Sequence, residues 1–440
     1  MRPLSCVLLL VASLAPALSG CSNTPTSPVD PSSQPHSSSA LAKTTPLDQI
    51  PPGAVLTRDQ LRDWSEIWDL VNIYYADPGF RGVDWAAVRK SVPLKIEAGL
   101  ENDAFTELVN ATLSPFKDCH VRYKPPELVR REASSGAQNF TGIGMSITRG
   151  TGEWIVVGMV FPGAPAERAG IASHDRILAI DGRTPLDPRG YPDVYRMRGP
   201  AGTSVRLRVA SPGGEPCEVT IVREAVSTDS GLVYIRLLPR GETGRRRIVY
   251  AFLASIEEPE VDRLRAELAR LSADAPLDGF ILDLRSNLGG SYEAGASCIG
   301  LFQAGVDKSF RDRAGTVLVE RASGDAVGNS RTLPLVVLVH NTTYSAAEMI
   351  AGTLQHTGRA RLIGARTAGD TGTEFTYVLS GGGSISFTGD IYLLPDGSDP
   401  GWFGRGIAPD IEVPGSGWDE VTEEKDPAVA KAVEVLTGQP

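Results

Sequence analysis

Two short polar turns in the C-terminal half of the chain carry residues suited to acyl transfer. One turn reads RSNLGG over residues 285–290 and the other NTTYSAAE over residues 341–348, and each follows an apolar run. Ser345 in the second turn could act as a nucleophile. Helix N-termini and glycine turns leave backbone donors unpaired. Three backbone N–H groups could therefore stabilise the oxyanion that such an attack creates: those of Gly289, Gly290 and Ala346.

A structural role for Ser345 is also open. Serine is a preferred N-cap residue, and Glu348 stands where it would complete a capping box at the start of the following helix. The two roles are compatible, so the turn is a candidate for both.

The motifs around these turns resemble the signatures of the C-terminal processing (tail-specific) serine peptidase family, which includes tricorn-like members. DLRSNLGG at 283–290 is similar to its D-L-R-x-N-x-G-G signature, and TYSAAE at 343–348 contains its S-A-x-E signature. Three further segments match the family: VDW at 83–85, DCH at 118–120 and GRGIAPDIEV at 404–413. The resemblance implies a serine-type endopeptidase that cleaves unfolded or C-terminal peptide segments through an acyl-enzyme. We predict no cofactor and no metal.

The chain departs from this family at the catalytic base. The processing peptidases place a lysine downstream of the serine in a G-x-x-T-F-G-K-G stretch, and Asp370 stands at that position here. No lysine lies between Ser345 and Lys425, which argues against a serine–lysine dyad.

The tricorn-like branch implies a different base. Its D-x-H histidine corresponds to His120, whereas the glutamate that accompanies it in that branch is replaced by Phe403 here. The resemblance therefore predicts that His120 takes the proton of the serine while a carboxylate holds its ring in the required tautomer. Three carboxylates are candidates, in order of preference: Asp370, Asp118 and Glu374.

These departures leave two functions open. The retained serine, glycine turn and His120 predict an active serine peptidase. The replacement of the family lysine by Asp370 and of the glutamate by Phe403 would suit a pseudo-peptidase that binds a peptide or a small apolar ligand.

The elements that must position these residues follow from the hydrophobic pattern. Apolar runs at 279–284 and 333–339, each followed by a turn and a helix, are typical of parallel strands buried on both faces. They predict an α/β layered peptidase domain over residues 226–415, followed by a polar C-terminal tail over 416–440. Helical spacing of apolar residues predicts a helical N-terminal domain over 47–134.

Residues 135–225 alternate short strands with glycine turns, which predicts a compact β module. GIGM, FPGAPAERAGI, DRILAIDG and RGPAGT follow one another in an order that resembles a PDZ domain. The resemblance implies that one loop binds a peptide C-terminus while the peptide adds a strand to an open sheet edge. The loop residues are Gly142, Ile143, Gly144 and Met145.

The N-terminus has the features of an export signal. Residues 1–20 contain Arg2 and an apolar run at 7–14 that is too short to span a bilayer. The segment ends in LSGC, which resembles a bacterial lipobox and implies lipid attachment at Cys21, with a location at the outer membrane facing the periplasm. Residues 21–46 are rich in Ser, Thr and Pro, which predicts a flexible tether.

Composition excludes other classes of function. The 440 residues include 43 Lys and Arg against 53 Asp and Glu, a formal net charge of -10, so no cationic field would attract nucleic acid. The five cysteines are spaced too irregularly for a disulfide scaffold or a zinc motif. The predicted partners are a polypeptide substrate and a membrane reached through the lipid; the oligomeric state is left open.

Overall fold

The computed structural model describes residues 52–438 except for 135–138, 151, 187–191, 228–231, 240–242, 245, 306, 322–323 and 423–424. The predicted signal peptide, lipid-attachment residue and tether lie outside the described residues. The described chain combines N-terminal helices, a small β module and an α/β layered domain, which confirms the predicted fold class. No helix within it has the length and apolar content needed to cross a membrane.

Aromatic side chains hold the N-terminal helical region together. Its helices are α1 (Pro52–Tyr74), α2 (Trp85–Glu97), α3 (Asn102–Leu113) and α4 (Pro126–Ser134). The rings of Trp68 and Trp85 stack with centroids 6.2 Å apart, and Phe116 packs edge-on to Trp85 at 5.3 Å. Strand β1 (Arg122–Lys124) pairs with a strand of the C-terminal domain. The helical region therefore shares its hydrophobic core with that domain instead of closing on itself.

The β module is a five-stranded antiparallel sheet with an additional two-stranded ribbon. The sheet strands are β3 (Met145–Arg149), β4 (Ile155–Val160), β5 (Arg176–Ile180), β6 (Ser204–Ala210) and β7 (Cys217–Val222). The ribbon strands are β2 (Asn139–Gly142) and β8 (Glu224–Ser227), and two short helices are α5 (Pro165–Arg168) and α6 (Val194–Met197). Exposed and buried residues alternate along most of β6, as expected for a strand with one face on a core. The module has a hydrophobic core of its own.

Six strands form the central sheet of the C-terminal domain. Their order is β18 (Ile411–Glu412), β15 (Arg361–Gly364), β14 (Leu335–Val339), β11 (Gly279–Asp283), β10 (Ile248–Leu253) and β9 (Val233–Leu237). Neighbouring strands are parallel except for β9 with β10. Every residue of β10, β11 and β14 is buried, which confirms the two buried parallel strands predicted from the apolar runs.

A second sheet joins the N-terminal helices to this domain. Its strands are β1, β12 (Asp307–Asp312), β13 (Val317–Arg321), β16 (Gly372–Val378) and β17 (Ser384–Leu393). Three helices cover one face of the central sheet: α7 (Glu258–Ser272), α8 (Tyr292–Phe302) and α9 (Ala346–His356). The pairing of β1 with β17 brings the segment just before β1, which contains His120, against the C-terminal domain.

The C-terminal segment is not the polar tail predicted over 416–440. Pro427–Thr437 forms helix α10, in which Ala428, Ala432 and Leu436 are buried. Residues four apart lie on the same helix face, and this face packs on the side of the central sheet opposite α7, α8 and α9. The tail prediction was wrong because this segment has an apolar helix face: Val429, Val433 and Val435 also pack against the same core.

Trp418, also in the segment predicted to be a tail, joins the β module to the central sheet. Its ring is 4% exposed and stacks on Phe252 of β10 with centroids 4.3 Å apart. Its Nε1–H donates to the carbonyl oxygen of Val157 in β4 at 3.0 Å. The ring of His174 lies 4.2 Å from it on the module side. One indole thus contacts both units.

Replacing Trp418 with alanine is expected to lower the free energy of unfolding by about 3–5 kcal/mol, because a buried aromatic ring is lost and a cavity remains. A urea titration of the two proteins measures the difference. Val378→Ala, at a side chain that is 72% exposed, serves as the control and should change stability by less than about 0.5 kcal/mol. Equal effects of the two substitutions would contradict the role given to Trp418.

Candidate active site

Ser345 occupies a strained turn between strand β14 and helix α9. Its backbone has φ 50° and ψ −123°, a conformation that non-glycine residues rarely adopt and that costs of order 1–3 kcal/mol. Residues 343, 344 and 346–350 are buried, whereas Ser345 is half-exposed. The residue is the N-cap of α9, as the capping interpretation predicts. Backbone strain of this kind is concentrated at functional sites. The conformation of Ser345 is therefore compatible with a role as nucleophile in addition to its role as N-cap.

The glycine turn at 289–290 lies directly against Ser345. A Cβ atom on Gly289 would lie 2.6 Å from the Cβ of Ser345, 3.1 Å from its Oγ and 3.0 Å from the backbone nitrogen of Ala346. A Cβ atom on Gly290 would lie 2.2 Å from the carbonyl oxygen of Ile256. Both glycines have positive φ, 91° and 146°. Only glycine fits this turn, and its small size keeps open the space beside the Ser345 hydroxyl group.

Backbone donors remain available in that space. The N–H group of Gly289 donates to Oδ1 of Asn287 at 2.8 Å. Within the described chain, the N–H groups of Gly290 and Ala346 make no hydrogen bond. Ala346 is the first residue of α9, where the helix dipole favours negative charge. Two of the three predicted oxyanion donors are therefore unengaged in this conformation, and the third is used within its own turn.

Arg285 anchors the same turn from below and was not predicted as a site residue. It is fully buried, and its Nη2 lies 2.6 Å from Asp283 Oδ2 and 2.5 Å from Asp426 Oδ2. A buried guanidinium needs such partners. The D-L-R signature, which contains Asp283 and Arg285, indicates the first of these ion pairs. No signal pointed to Asp426, which lies in the segment predicted to be a tail.

Glu348 connects the serine turn to the Asp370 turn. Its buried carboxylate accepts four hydrogen bonds: Oε1 from the Thr367 hydroxyl at 2.5 Å and the Gly369 N–H at 2.8 Å, and Oε2 from the Asp370 N–H at 2.7 Å and the Ser345 N–H at 3.2 Å. Burial raises the pKa of Glu348 to about 7, and the hydrogen bonds from Thr367 and Gly369 oppose that rise. One oxygen atom thus holds the backbones of Ser345 and Asp370 together.

Replacing Glu348 with glutamine is expected to destabilise the fold by roughly 2–4 kcal/mol and to lower activity at least tenfold. A carboxylate only accepts hydrogen bonds, whereas the amide of glutamine places an NH₂ donor against at least two of the four donors and leaves them unsatisfied. Urea unfolding and peptide hydrolysis measure the two effects. The control is Glu107→Gln, at an exposed position of α3, which should change neither. Parent-like stability of Glu348→Gln would contradict the four-acceptor role.

His120 lies in a buried polar cluster between β1 and β17. Its Nδ1 is 3.3 Å from Asp370 Oδ1, 3.2 Å from Thr388 Oγ1 and 3.8 Å from Asp118 Oδ1. The Thr388 hydroxyl donates to Asp118 Oδ2 at 2.8 Å, so its oxygen is left to accept a hydrogen bond from Nδ1–H of His120. Nδ1 then carries the hydrogen. In the neutral ring this tautomer leaves Nε2 as the acceptor, which is the form a general base requires.

The charges around His120 favour its protonated form. Burial lowers its pKa, but the carboxylates of Asp370, Glu374 and Asp118 raise it more, and the pKa of His120 lies above its ordinary value. Burial likewise raises the pKa of Asp370 to about 7, against the opposing charge of His120. The two groups are close enough to titrate as a pair.

The three candidate carboxylates differ in what they already bind. Asp118 accepts hydrogen bonds from the hydroxyl groups of Tyr75 and Thr388 and from the backbone N–H of His120. Glu374 pairs with Arg122 at 2.6 Å. Asp370 Oδ1 lies 3.3 Å from His120 Nδ1, closer than Asp118 Oδ1 at 3.8 Å. The geometry therefore favours Asp370, the first choice made from the sequence.

A cation is the other species that this cluster has the groups to hold. Asp118, His120 and Asp370 each offer one ligand atom within 4.8 Å of one another, whereas the nearby Cys119 is disulfide-bonded and supplies no thiolate. Two hydroxyl groups already donate to one oxygen of Asp118, however, and a hydroxyl donor competes with a cation for the same lone pairs. The contacts match a histidine oriented by carboxylates better than a metal centre.

The predicted peptide-binding loop is held within the β module. The carbonyl oxygens of Ile143 and Gly144 accept hydrogen bonds from Ala166 and Phe161 of the β module itself. The module approaches the active-site turn at another point, Gly158 of β4, where a Cβ atom would lie 3.2 Å from Ser286 Oγ. The Ser345 turn is linked to Asp370 through Glu348, Asp370 contacts His120, and the four loop residues belong to the module.

Comparisons with known proteins agree with this division. The family model described as "Peptidase family S41" matches residues 247–413, and the one described as "PDZ domain" matches residues 156–223. The chain is 31% identical over 394 residues to the carboxyl-terminal-processing protease of Synechocystis sp. This alignment covers 88% of this chain and 89% of the relative. It is 28% identical over 379 residues to the chloroplastic C-terminal processing peptidase of Tetradesmus obliquus, covering 82% and 79%.

A solved structure matches over a similar length. The photosystem II D1 C-terminal processing protease superposes with a TM-score of 0.60 at 26% identity, covering 86% of this chain and 98% of that chain. The match extends well beyond the segment that the family model covers, and so includes more than one of the three regions.

Proposed function

Because this chain belongs to peptidase family S41 and is a serine peptidase, we propose that Ser345 is its nucleophile, His120 its general base and Asp370 the carboxylate that orients His120. The contact between His120 Nδ1 and Asp370 Oδ1 at 3.3 Å carries this proposal. The shared hydrogen bonds of the Ser345 and Asp370 backbones to Glu348 Oε2 support it. The relatives do not favour the pseudo-peptidase alternative.

The reaction proceeds in two halves. His120 Nε2 takes the proton of Ser345 Oγ as this oxygen attacks the scissile carbonyl carbon, and the N–H groups of Gly290 and Ala346 bind the oxyanion. The protonated His120 then gives its proton to the leaving amine, the peptide C–N bond breaks and an acyl-enzyme remains. A water molecule, deprotonated by His120, hydrolyses the ester and restores Ser345.

The substrate is a polypeptide, and we place the cleavage near its C-terminus. The names of the relatives describe carboxyl-terminal processing, and the PDZ domain offers a loop, Gly142 to Met145, of the kind that binds a peptide C-terminus. The working boundaries are 47–134 for the helical region, 135–225 for the PDZ domain and 226–415 for the peptidase domain. Helix α10 is added to the last of these.

We place the enzyme at the cell envelope, anchored by lipid at Cys21 to the outer membrane and facing the periplasm. The LSGC motif supports this location. Metabolic labelling of the expressing bacterium with radioactive palmitate tests it. Cys21→Ser should lose the label and Cys217→Ser should keep it; label retained by Cys21→Ser would contradict the anchor.

A serine-reactive fluorophosphonate tests the nucleophile. The intact protein should be labelled and should cleave an unfolded protein, whereas Ser345→Ala and His120→Ala should do neither. Ser91→Ala, an exposed serine on α2, is the matched control and should behave like the parent. Labelling that persists in Ser345→Ala would overturn the assignment.

A further inference from the structure

The guanidinium group of Arg81 has no acidic partner among the residues that the structure describes. Within the described chain its side chain donates no hydrogen bond and lies in no ion pair, although the residue is half-buried. Arginine stays protonated in proteins, so a full positive charge is held in a partly desolvated place. Such a charge is available to bind an anion that enters from solvent.

Two contacts and one electrostatic effect place this charge beside the proposed triad. Its Cζ lies 4.9 Å from the centre of the Phe403 ring, and a Cβ atom on Gly404 would lie 2.4 Å from its Nη2. The N–H of Gly404 in turn donates to the carbonyl oxygen of Gly369, at 2.7 Å. Burial raises the pKa of Asp370 to about 7, and the charges of His120 and Arg81 both oppose that rise.

Phe403 explains why the charge is left over. The residue that faces the guanidinium is a phenylalanine, which has no charge to pair with it. The phenyl ring instead offers its face to the guanidinium, an attraction that fixes the position of the group but uses none of its hydrogen-bond donors.

The loop that carries Arg81 is firmly anchored. Phe80 and Arg81 both have left-handed backbone conformations, with φ 50° and 51°. Asp77 holds the loop by accepting hydrogen bonds from the backbone N–H groups of Gly79 and Arg81 at 2.9 and 2.7 Å. Arg313 donates to the carbonyl oxygens of Tyr75 and Asp77 and stacks on Phe80. A charge positioned in advance binds a ligand with less loss of conformational freedom.

We propose that Arg81 binds a carboxylate of the peptide substrate next to the catalytic centre, which makes it a specificity-determining residue. This inference rests on the proposed serine peptidase function. The guanidinium fork matches a carboxylate with two parallel hydrogen bonds. The other acids nearby are occupied: Asp370 faces His120, Asp118 accepts two hydroxyl donors, and Asp77 holds the loop. The carboxylate is either the free C-terminus of the peptide or an Asp or Glu side chain.

Three peptides of one core sequence separate these two sources. The first has a free C-terminal carboxylate, the second is amidated, and the third is amidated but carries an aspartate near the cleavage site. We expect the parent enzyme to cleave one of the two carboxylate peptides with a kcat/KM roughly 10 to 100 times that for the neutral peptide. Arg81→Gln should bring this ratio close to one. Arg81→Lys should give an intermediate ratio, because an ammonium group is a point charge without the fork.

Arg405→Gln is the matched control, because this arginine lies close to Phe403 in sequence but is exposed; it should keep the parental ratio. The ratio between peptides separates recognition from a general effect, since structural damage or a changed pKa of Asp370 would slow all three peptides alike. A parent enzyme without carboxylate preference would overturn the proposal. So would a preference that survives Arg81→Gln, which would assign carboxylate recognition to the PDZ loop.

Binding to Ser345→Ala keeps this test independent of catalysis. Fluorescence anisotropy with the same three peptides should show the carboxylate preference in Ser345→Ala and its loss in the double variant Ser345→Ala, Arg81→Gln. If the serine assignment fails, fluorophosphonate labelling will not depend on Ser345, while the preference for carboxylate peptides in the binding assay will remain. If the Arg81 assignment fails, labelling stays dependent on Ser345 and the preference is absent.

Discussion

Replacing His120 with glutamine is expected to lower kcat/KM for peptide hydrolysis roughly a million-fold. Without an acceptor at Nε2, the Ser345 hydroxyl keeps its proton and is a weak nucleophile, and losses of this size follow the removal of the base from other serine triads. Glutamine cannot take up a proton at neutral pH but is a polar side chain of similar length. It can therefore still form hydrogen bonds with Thr388 and Asp118. Steady-state hydrolysis of a fluorogenic peptide measures the effect.

His356→Gln is the control for the His120 substitution. This histidine lies at the end of α9 with 38% of its side chain exposed, 3.9 Å from Asp396, and its loss should leave kcat/KM within a factor of two. A His120→Gln enzyme that keeps more than a tenth of the parental kcat/KM would show that another group is the base. Its melting temperature, measured alongside, tells a catalytic defect from an unfolded protein.

Replacing Asp370 with asparagine is expected to lower kcat/KM about 10³- to 10⁴-fold. An amide at this position can present an N–H group to Nδ1 and so stabilise the wrong tautomer of His120, in which Nε2 carries the hydrogen. Asp118→Asn in the same assay is the decisive comparison, because Asp118 is the second candidate and lies 3.8 Å from the same Nδ1. A larger loss in Asp118→Asn than in Asp370→Asn would transfer the orienting role to Asp118.

The pH dependence of the Asp370→Asn enzyme gives a second test. The pKa of His120 is raised although burial alone would lower it, and Asp370 is the largest of the charges that raise it. A general base must be unprotonated, so kcat/KM rises with pH as His120 loses its proton. Removing the Asp370 charge lowers the pKa of His120, and the acid limb of the residual activity should move to lower pH. An unshifted limb would contradict the pairing.

The same pair links stability to pH. Folding raises the pKa of Asp370 from 3.8 to about 7 and also raises the pKa of His120. The folded pair therefore binds more protons than the unfolded pair, and its contribution to stability falls as pH rises from about 4 to 7 and beyond. Asp370→Asn should flatten this part of the stability profile. As pH increases, the urea midpoint of the parent should fall more than that of the variant.

Local patterns accounted for much of the candidate site. A serine between an apolar run and a helical segment, and a glycine pair after another such run, are features of contiguous residues, and the structure places both turns in contact through Gly289 and Ser345. The buried strands were equally predictable, because a strand covered on both faces needs apolar residues at every position.

The C-terminal segment could not be predicted in this way. The apolar residues of Pro427–Thr437 indicate a helix but not the surface that it covers, and Asp426 looks like a solvated acid until its partner is known. That partner, Arg285, is 141 residues away in sequence. The role of Trp418 was hidden for the same reason, since the two surfaces it joins come from different units.

By itself, the sequence determined which residue types are present for chemistry: a serine at a helix start, a glycine turn beside it, one histidine in a D-x-H element and an aspartate where a lysine was expected. Only the tertiary structure decided which carboxylate faces that histidine and which charge is left unpaired. His120 and Asp370 are 250 positions apart, and the pairing of β1 with β17 brings the histidine against the peptidase domain. Among the described residues, the side chain that faces Arg81 is the ring of Phe403 and not an acid. Electrostatic partnership depends on distances of a few ångströms, and those distances are set by packing between segments that the sequence keeps far apart.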